Sequence, residues 1–305
     1  MKHLLSLFDL SSEDVRDVLD FARRLKQETL AGERRPLCAG KILSQVFEKP
    51  SLRTRVSFEA AMSQLGGSGI FLTAKDAGFE GRETKEDIAK VLGGYSDVIV
   101  LRTFSQQLIE TFRDHAGCSV INGLSDDYHP CQALADILTI EEHFPESEGR
   151  KVVYVGDGNN VARSLALICG HVGAQFAIAA PQGYWLTDDF LKKAKTKFPN
   201  LTIEQTDQPF EAVQNADIIY TDVWASMGQE QEKDQRAKTF APFQVTKKLL
   251  DSANKDAKFM HCLPARRGLE VTDEVMSDPR SIVFPQAENR MHLAKGLFAW
   301  MLADV

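Results

Sequence analysis

"KILSQVFEKPSLRTRVSFEAAMSQLGGSGIFLT", residues 41–73, decides the fold. "KILSQVF" (41–47) reads as a short buried strand running into the Pro50-Ser51 break, and from Val56 to Leu65 the chain continues as a helix. "GIFLT" (69–73) is the next strand. A strand, a helix and a second strand within so few residues form a βαβ unit, whose strands pair in parallel.

Outward from that unit the alternation persists. Residues 11–28 predict a helix, with a Ser11/Ser12 start, acids in the first turn, and Val15, Val18, Leu19, Ala22 and Leu25 on one stripe. After residue 73 come a helix at 84–95, a strand in "DVIVLRT", a helix at 105–117 and a strand in "SVINGL". A long helix over 129–144 leads to the polar 145–151, where the pattern restarts with "KVVYVGDGNN", a helix, "QFAIAAP", a helix, "LTIEQT", "ADIIYTDVW" and "KFMHCLPA". "SIVFPQAENR" (281–290) is grouped with these strands, and the closing helix is placed at 291–302. The expectation is α/β: two domains, each a mostly parallel sheet flanked by helices, joined by long interdomain helices. The expected bounds are 1–140 and 141–288, with the C-terminal helix at 289–305 packing back on the first domain.

The 305 residues suit two domains rather than one core. A net charge of −7 argues against nucleic acid or an acidic membrane as the main partner. Five cysteines, an odd number without close pairs, point to a reduced, intracellular chain. The N-terminus lacks a signal-peptide core, and no window approaches ~18 uninterrupted apolar residues. The cytoplasm is the expected location.

Against that negative background, Ser51, Arg53, Thr54 and Arg55 crowd donors at a strand-to-helix junction. Free backbone N–H groups and the positive end of the helix dipole meet there. Hydroxyls and a guanidinium added to them make a site for a tetrahedral dianion such as phosphate. Any one of these residues alone is ordinarily a cap or a surface arginine; the four together favour the anion. "YVGDGNNVARSL" (154–165) raises a competing reading, because Gly156-x-Gly158 after a strand begins a dinucleotide fingerprint. The third glycine position holds Val161, and the next strand ends without a ribose-binding acid, so that reading fails.

"FEKPSLRTRVSFE" (47–59) resembles the carbamoyl phosphate-binding segment of the aspartate and ornithine carbamoyltransferase family, whose pattern is Ser-x-Arg-Thr-Arg. "HPCQALAD" (129–136) is similar to the family's second signature and "FMHCLPARRG" (259–268) to its third, in the same order and spacing across essentially the whole chain. The resemblance implies that Ser51, Arg53 and Thr54 hold phosphate, with Leu52, Cys262 and Leu263 in the same binding set. Arg102 would bridge phosphate and the carbamoyl oxygen, His129 would donate to that oxygen, Gln132 would meet the carbamoyl NH2, and Arg290 would add a cation. Cys131 and Asp136 are read as structural.

The loops of the second half resemble the ornithine branch. Asn160 would bind the α-carboxylate; Asp222 in "DVWASMG" (222–228) would pair with the α-ammonium, assisted by Ser226 and Met227. Cys262 would lie beside the side-chain amine. Arg102, His129, Thr54 and Cys262 are the implied catalytic set. Either Asp222 or Cys262 would take up the amine's proton, and the residues leave that choice open. The implied reaction is carbamoyl transfer from carbamoyl phosphate to ornithine, giving citrulline and phosphate, with the "SMG" loop as a lid. Neither a cofactor nor a metal is expected, since no Cys/His spacing resembles a zinc site. A homotrimer or a multiple of trimers with shared sites is implied. At the position of the family's cross-subunit Gln this chain has Gly78, with Arg82 and Lys85 as candidate replacements. The rivals are a sister carbamoyltransferase using an N-acylornithine, putrescine or aspartate, a nucleotide-dependent dehydrogenase, and a non-catalytic binding protein.

Overall fold

The computed structural model describes residues 1–81, 83–225, 228 and 230–303. Arg82, Ser226 and Met227 lie outside the described residues. The chain divides into two compact units, one of Met1–Leu138 with Glu288–Val305 and the other of Thr139–Ala287.

The first unit begins with α1 (Ser12–Leu30), opened by a capping box in which Ser11 and Asp14 satisfy each other's backbone N–H. There follow β1 (Ile42–Phe47), α2 (Leu52–Gln64), β2 (Ser68–Thr73), α3 (Lys85–Tyr95), β3 (Val98–Arg102), α4 (Gln106–His115), β4 (Ser119–Leu124) and α5 (Pro130–His143). The strands form a parallel sheet in the order β2-β1-β3-β4. Val46, Ile99, Leu101 and Val120 of the sheet bury against Ile109 and Phe112 of α4. β1 and β3 are buried almost throughout, Ser44 and Gln45 included, because the interior strands of a parallel sheet are covered on both faces. β2, at the edge, is largely exposed.

In the second unit β5 (Lys151–Val155), α6 (Asn160–Val172), β6 (Gln175–Ala179), α7 (Asp188–Lys197), β7 (Ile203–Thr206), α8 (Pro209–Ala212), β8 (Ile218–Thr221), α9 (Lys233–Phe240), α10 (Lys247–Asp251), β9 (Lys258–His261) and α11 (Asp273–Met276) follow in turn. Its sheet is also parallel, in the order β7-β6-β5-β8-β9. Val153, Val155, Ile219 and Phe259 pack there with Trp224 and Phe240.

α12 (Val283–Leu302) ends the chain and corrects one expectation. "SIVFPQAENR" is not a strand: only Ser281 forms an isolated bridge, to Phe259, and the helix starts at Val283. Pro285 falls in the first turn, where its missing N–H leaves no helical bond unmade. In the first unit α12 approaches α1 so closely that a Cβ on Gly296 would lie 2.6 Å from the Val18 carbonyl oxygen. Phe298 of α12 meets Phe58 of α2 edge-on, centroids 5.7 Å apart.

Each sheet has a switch point where the strand order reverses, between β1 and β3 in the first and between β5 and β8 in the second. The crevices beyond the carboxyl ends of such strands are where open α/β sheets bind ligands. Ser51 follows β1, Arg102 ends β3, Asn159 and Asn160 follow β5, and Asp222 follows β8.

Candidate active site

In the first unit Ser51 is the N-cap of α2, its Oγ accepting the Thr54 N–H at 3.2 Å. That leaves the N–H groups of Leu52 and Arg53 at the open, positive end of the helix. Leu52 itself is 74% exposed, so the group it offers at this helix end is its backbone N–H. Thr54 is buried, and its Oγ1 gathers the neighbouring donors: Ser51 Oγ at 3.1 Å, Arg102 Nη1 at 3.5 Å and Arg290 Nη2 at 3.4 Å. Arg290 lies within α12, not before the last helix, and its Nη1 also donates to Gln132 Oε1. Gln132 in turn donates from Nε2 to Asp136 Oδ1 at 2.8 Å, which fixes the amide and gives Asp136 a supporting place in the site. Arg55, the last arginine of the motif, turns away to Glu59 at 3.1 Å and lies over the Phe71 ring.

His129 immediately precedes α5 and is buried. Burial, then the charges of Arg290, Arg102 and Arg53, hold its imidazole well below the usual histidine range. A neutral ring there keeps an N–H to donate. Cys131, two residues on, is inert by contrast: burial pushes its thiol up to about 12, and it donates to the Asn122 carbonyl.

In the second unit Asn159 caps α6, its Oδ1 accepting the N–H groups of Val161 and Ala162 at 2.9 and 3.1 Å. Asn160 is the first residue of that helix and is half-buried. Asn159 Nδ2 also reaches Asp222 Oδ2 at 3.4 Å, and Cys262 Sγ donates to Asp222 Oδ1 at 3.1 Å. The loops after β5, β8 and β9 therefore converge on one buried carboxylate. Among the described residues, no cation pairs with it. The second glycine of "GDG" has a packing cause: a Cβ on Gly158 would lie 2.7 Å from the Trp185 carbonyl carbon.

The sequence reading missed the support behind Cys262. His261 Nδ1 accepts the Leu263 N–H at 2.9 Å, so its proton sits on Nε2 and faces Glu270 Oε1 at 3.2 Å. The His261 N–H donates to Gln286 Oε1, and Gln286 donates to the Tyr220 hydroxyl. These bonds hold Leu263 at φ +57, a left-handed conformation uncommon for a leucine. Ligand-capable atoms of Asp222, His261 and Cys262 lie within 4.8 Å of one another. Both ring nitrogens of His261 are already engaged, so the cluster reads as a hydrogen-bonded network.

Gly78 occupies a turn at φ +75, and Lys85 is committed to the Phe79 carbonyl and ring.

Comparison with known proteins shows the family. Residues 2–142 match the family described as aspartate/ornithine carbamoyltransferase, carbamoyl-P binding domain, and residues 148–301 match the Asp/Orn binding domain of the same family. The ornithine carbamoyltransferase of Bacillus subtilis is 50% identical over 303 residues, covering 99% of this chain and 94% of that one. The solved structure of the Pyrococcus furiosus ornithine carbamoyltransferase superposes with a TM-score of 0.96 at 46% identity, covering 100% of this chain and 98% of that one. The Gloeobacter violaceus enzyme of the same name superposes with a TM-score of 0.88 at 41% identity, covering 99% of both chains. With both halves matched and the Ser51–Arg55, His129–Asp136 and Phe259–Gly268 signatures each placed at a strand or helix end, the chain belongs to the aspartate/ornithine carbamoyltransferase family.

Proposed function

We propose that this chain is an ornithine carbamoyltransferase acting in arginine biosynthesis. It moves the carbamoyl group of carbamoyl phosphate to the side-chain amine of L-ornithine, giving L-citrulline and phosphate. The observation that carries the choice of acceptor is the buried Asp222 carboxylate with Asn159 and Cys262 on it and, among the described residues, no cation. An ammonium group suits that site; a second substrate carboxylate does not. An N-acylated acceptor would lack the ammonium.

Carbamoyl phosphate is assigned to residues 1–140 with 289–305, and ornithine to 141–288. Phosphate sits on the N–H groups opening α2, with Ser51, Arg53 and Thr54, and Arg102 and Arg290 neutralise it. Neutral His129 donates to the carbamoyl oxygen, and Gln132, held by Asp136, meets the carbamoyl NH2. Ornithine is held by Asn160 and Asp222, with Ser226 and Met227 assisting. Its side-chain amine, with a solution pKa of roughly 10.4, loses a proton before attack. The lone pair then forms the C–N bond, and charge developing on the carbamoyl oxygen meets Arg102 and His129. Collapse breaks the C–O bond to phosphate, which leaves with the electron pair. The second proton of the amine nitrogen goes to the departing phosphate or to solvent. The first proton goes to the Asp222 carboxylate, directly or through the Cys262 thiol that donates to it, and on to solvent.

A homotrimer, or a multiple of trimers, is part of the same reading. Its support is the exposed edge strand β2, with Ile70 45% exposed, and a cavity of about 860 Å³ beside it lined by Ser51, Leu52, Arg55, Val56 and Phe71. No described helix is long and apolar enough to cross a membrane, and all five cysteines are free thiols. Both accord with a cytoplasmic enzyme.

The test is ureido product and phosphate release from carbamoyl phosphate with ornithine, N-acetylornithine, putrescine and aspartate in parallel. Turnover concentrated on ornithine is the expected result. Preference for another acceptor would leave the phosphate assignment standing and overturn the acceptor assignment.

A further inference from the structure

Arg236, in the first half of α9, belongs to none of the three signatures, and it is buried. Its Nη1 donates to Asp157 Oδ2 at 2.7 Å and to the Trp224 carbonyl at 3.1 Å, while Nε donates to Glu232 Oε2 at 2.8 Å. The guanidinium carbon lies 5.1 Å from the Tyr184 ring centroid. A planar, always-charged fork is the group that can serve several acceptors at once in one orientation.

The acceptors are informative. Asp157 is the middle residue of "GDG", and its carbonyl takes the Asn159 N–H at 2.7 Å. Asn159 in turn contacts Asp222, and Trp224 stands two residues beyond Asp222. Glu232 closes the far side of the same segment, at the turn before α9. One guanidinium thus joins Trp224 and Glu232 to the loop that carries Asn159 and Asn160.

We infer that Arg236, through Asp157 and the Trp224 carbonyl, is a positioning residue that sets the Asn160 loop and the Asp222 loop in register for the amino-acid acceptor. The inference rests on the acceptor reading given above. Arg236 touches no reacting atom; it acts through the two loops. A buried ion pair is weak evidence for net stability, and its best-attested use is to fix one arrangement among several. Breaking the pair from one side leaves the half-buried Asp157 without its cation, which is costly to the local structure.

The test is steady-state kinetics of the full-length protein, varying ornithine and carbamoyl phosphate separately, for the parent, Arg236→Ala, Arg236→Lys and Asp157→Asn. Arg236→Ala is expected to raise the KM for ornithine by about 10- to 100-fold, the loss that follows removal of a charge-assisted bond. The KM for carbamoyl phosphate should stay within about twofold and kcat within a few-fold. Arg236→Lys, which keeps the charge and loses the fork, and Asp157→Asn, which keeps the shape and loses the charge, should fall between parent and Arg236→Ala. Equal changes in both KM values, or an ornithine KM unchanged in every folded variant, would overturn the positioning role. If Arg236→Ala does not fold, a parental ornithine KM in both Arg236→Lys and Asp157→Asn overturns it, and a raised one supports it. Failure of the acceptor reading shows separately, as a parent enzyme that does not turn over ornithine.

Discussion

In the first unit, Arg102 and Arg290 converge on the Thr54 hydroxyl at 3.5 and 3.4 Å, beside a helix N-terminus and a histidine kept neutral. In the second, the thiol of Cys262 and the amide of Asn159 converge on the Asp222 carboxylate at 3.1 and 3.4 Å. The two units share a topology, a parallel sheet with the functional loops at the carboxyl ends of strands flanking a switch point. Their electrostatics are opposite. The shared scaffold explains where each site lies, and only the side chains explain what each one takes.

The contrast can be broken from either side. The largest effect is expected from Arg102→Leu, which removes a guanidinium from beside Thr54 and, on the proposed mechanism, from the oxygen that gains charge. We expect a fall of about 1,000-fold in kcat/KM for carbamoyl phosphate. A fall under about tenfold would show that the first unit's cations are not the machinery of transfer. Next, Asp222→Asn should raise the ornithine KM by about 100-fold, while the carbamoyl phosphate KM stays near the parent value. Parallel loss in both substrates would erase the division of labour between the units.

Smaller effects sharpen the comparison. Cys262→Ala should lower kcat about 10- to 100-fold if the thiol helps the amine shed its proton, with less change in either KM. An unchanged kcat would leave Asp222 as the sole acidic partner.

The smallest effect is on stability. Burial, then Lys295, Lys26 and Arg34, push His292 on α12 down to about 3, whereas the unfolded chain takes up that proton near 6.5. Below about pH 6.5 the unfolded state therefore binds more protons than the native one, so stability is full above that pH and declines as the pH falls toward about 3. His129, shifted the same way, adds to the decline. His292→Gln should flatten the drop in Tm between about pH 7 and pH 5; a curve parallel to the parent's would show that His292 does not carry it.

How legible each unit was in the sequence follows from how local its contacts are. Ser51, Leu52, Arg53 and Thr54 are consecutive, so a strand, a proline and a helix start were enough to place them together. The chain's alternation of strands and helices was equally local, and both parallel sheets follow from it. The misreading at "SIVFPQAENR" had a local cause too: Ile282, Val283 and Phe284 favour a strand, and Pro285 looks like a stop. Proline in a first helical turn is compatible with both signals and reverses the assignment.

What the sequence did not show were partners set by tertiary packing. Glu270 stands nine residues after His261, and Arg236 is 79 residues from Asp157. Neither spacing has a helical or strand period, so no pattern could announce them. Which of the adjoining Asn159 and Asn160 caps α6 is likewise set by the backbone at the start of that helix, not by the side-chain type.

The most direct measurement is the ratio of kcat/KM for ornithine to that for N-acetylornithine, in the parent and in Asp222→Asn. The two acceptors differ at the α-ammonium, the group assigned to Asp222. The predicted result is a parent preference for ornithine of about 100-fold or more, most of it lost in Asp222→Asn. A parent that uses both acceptors equally, or a preference that survives the substitution intact, would contradict it.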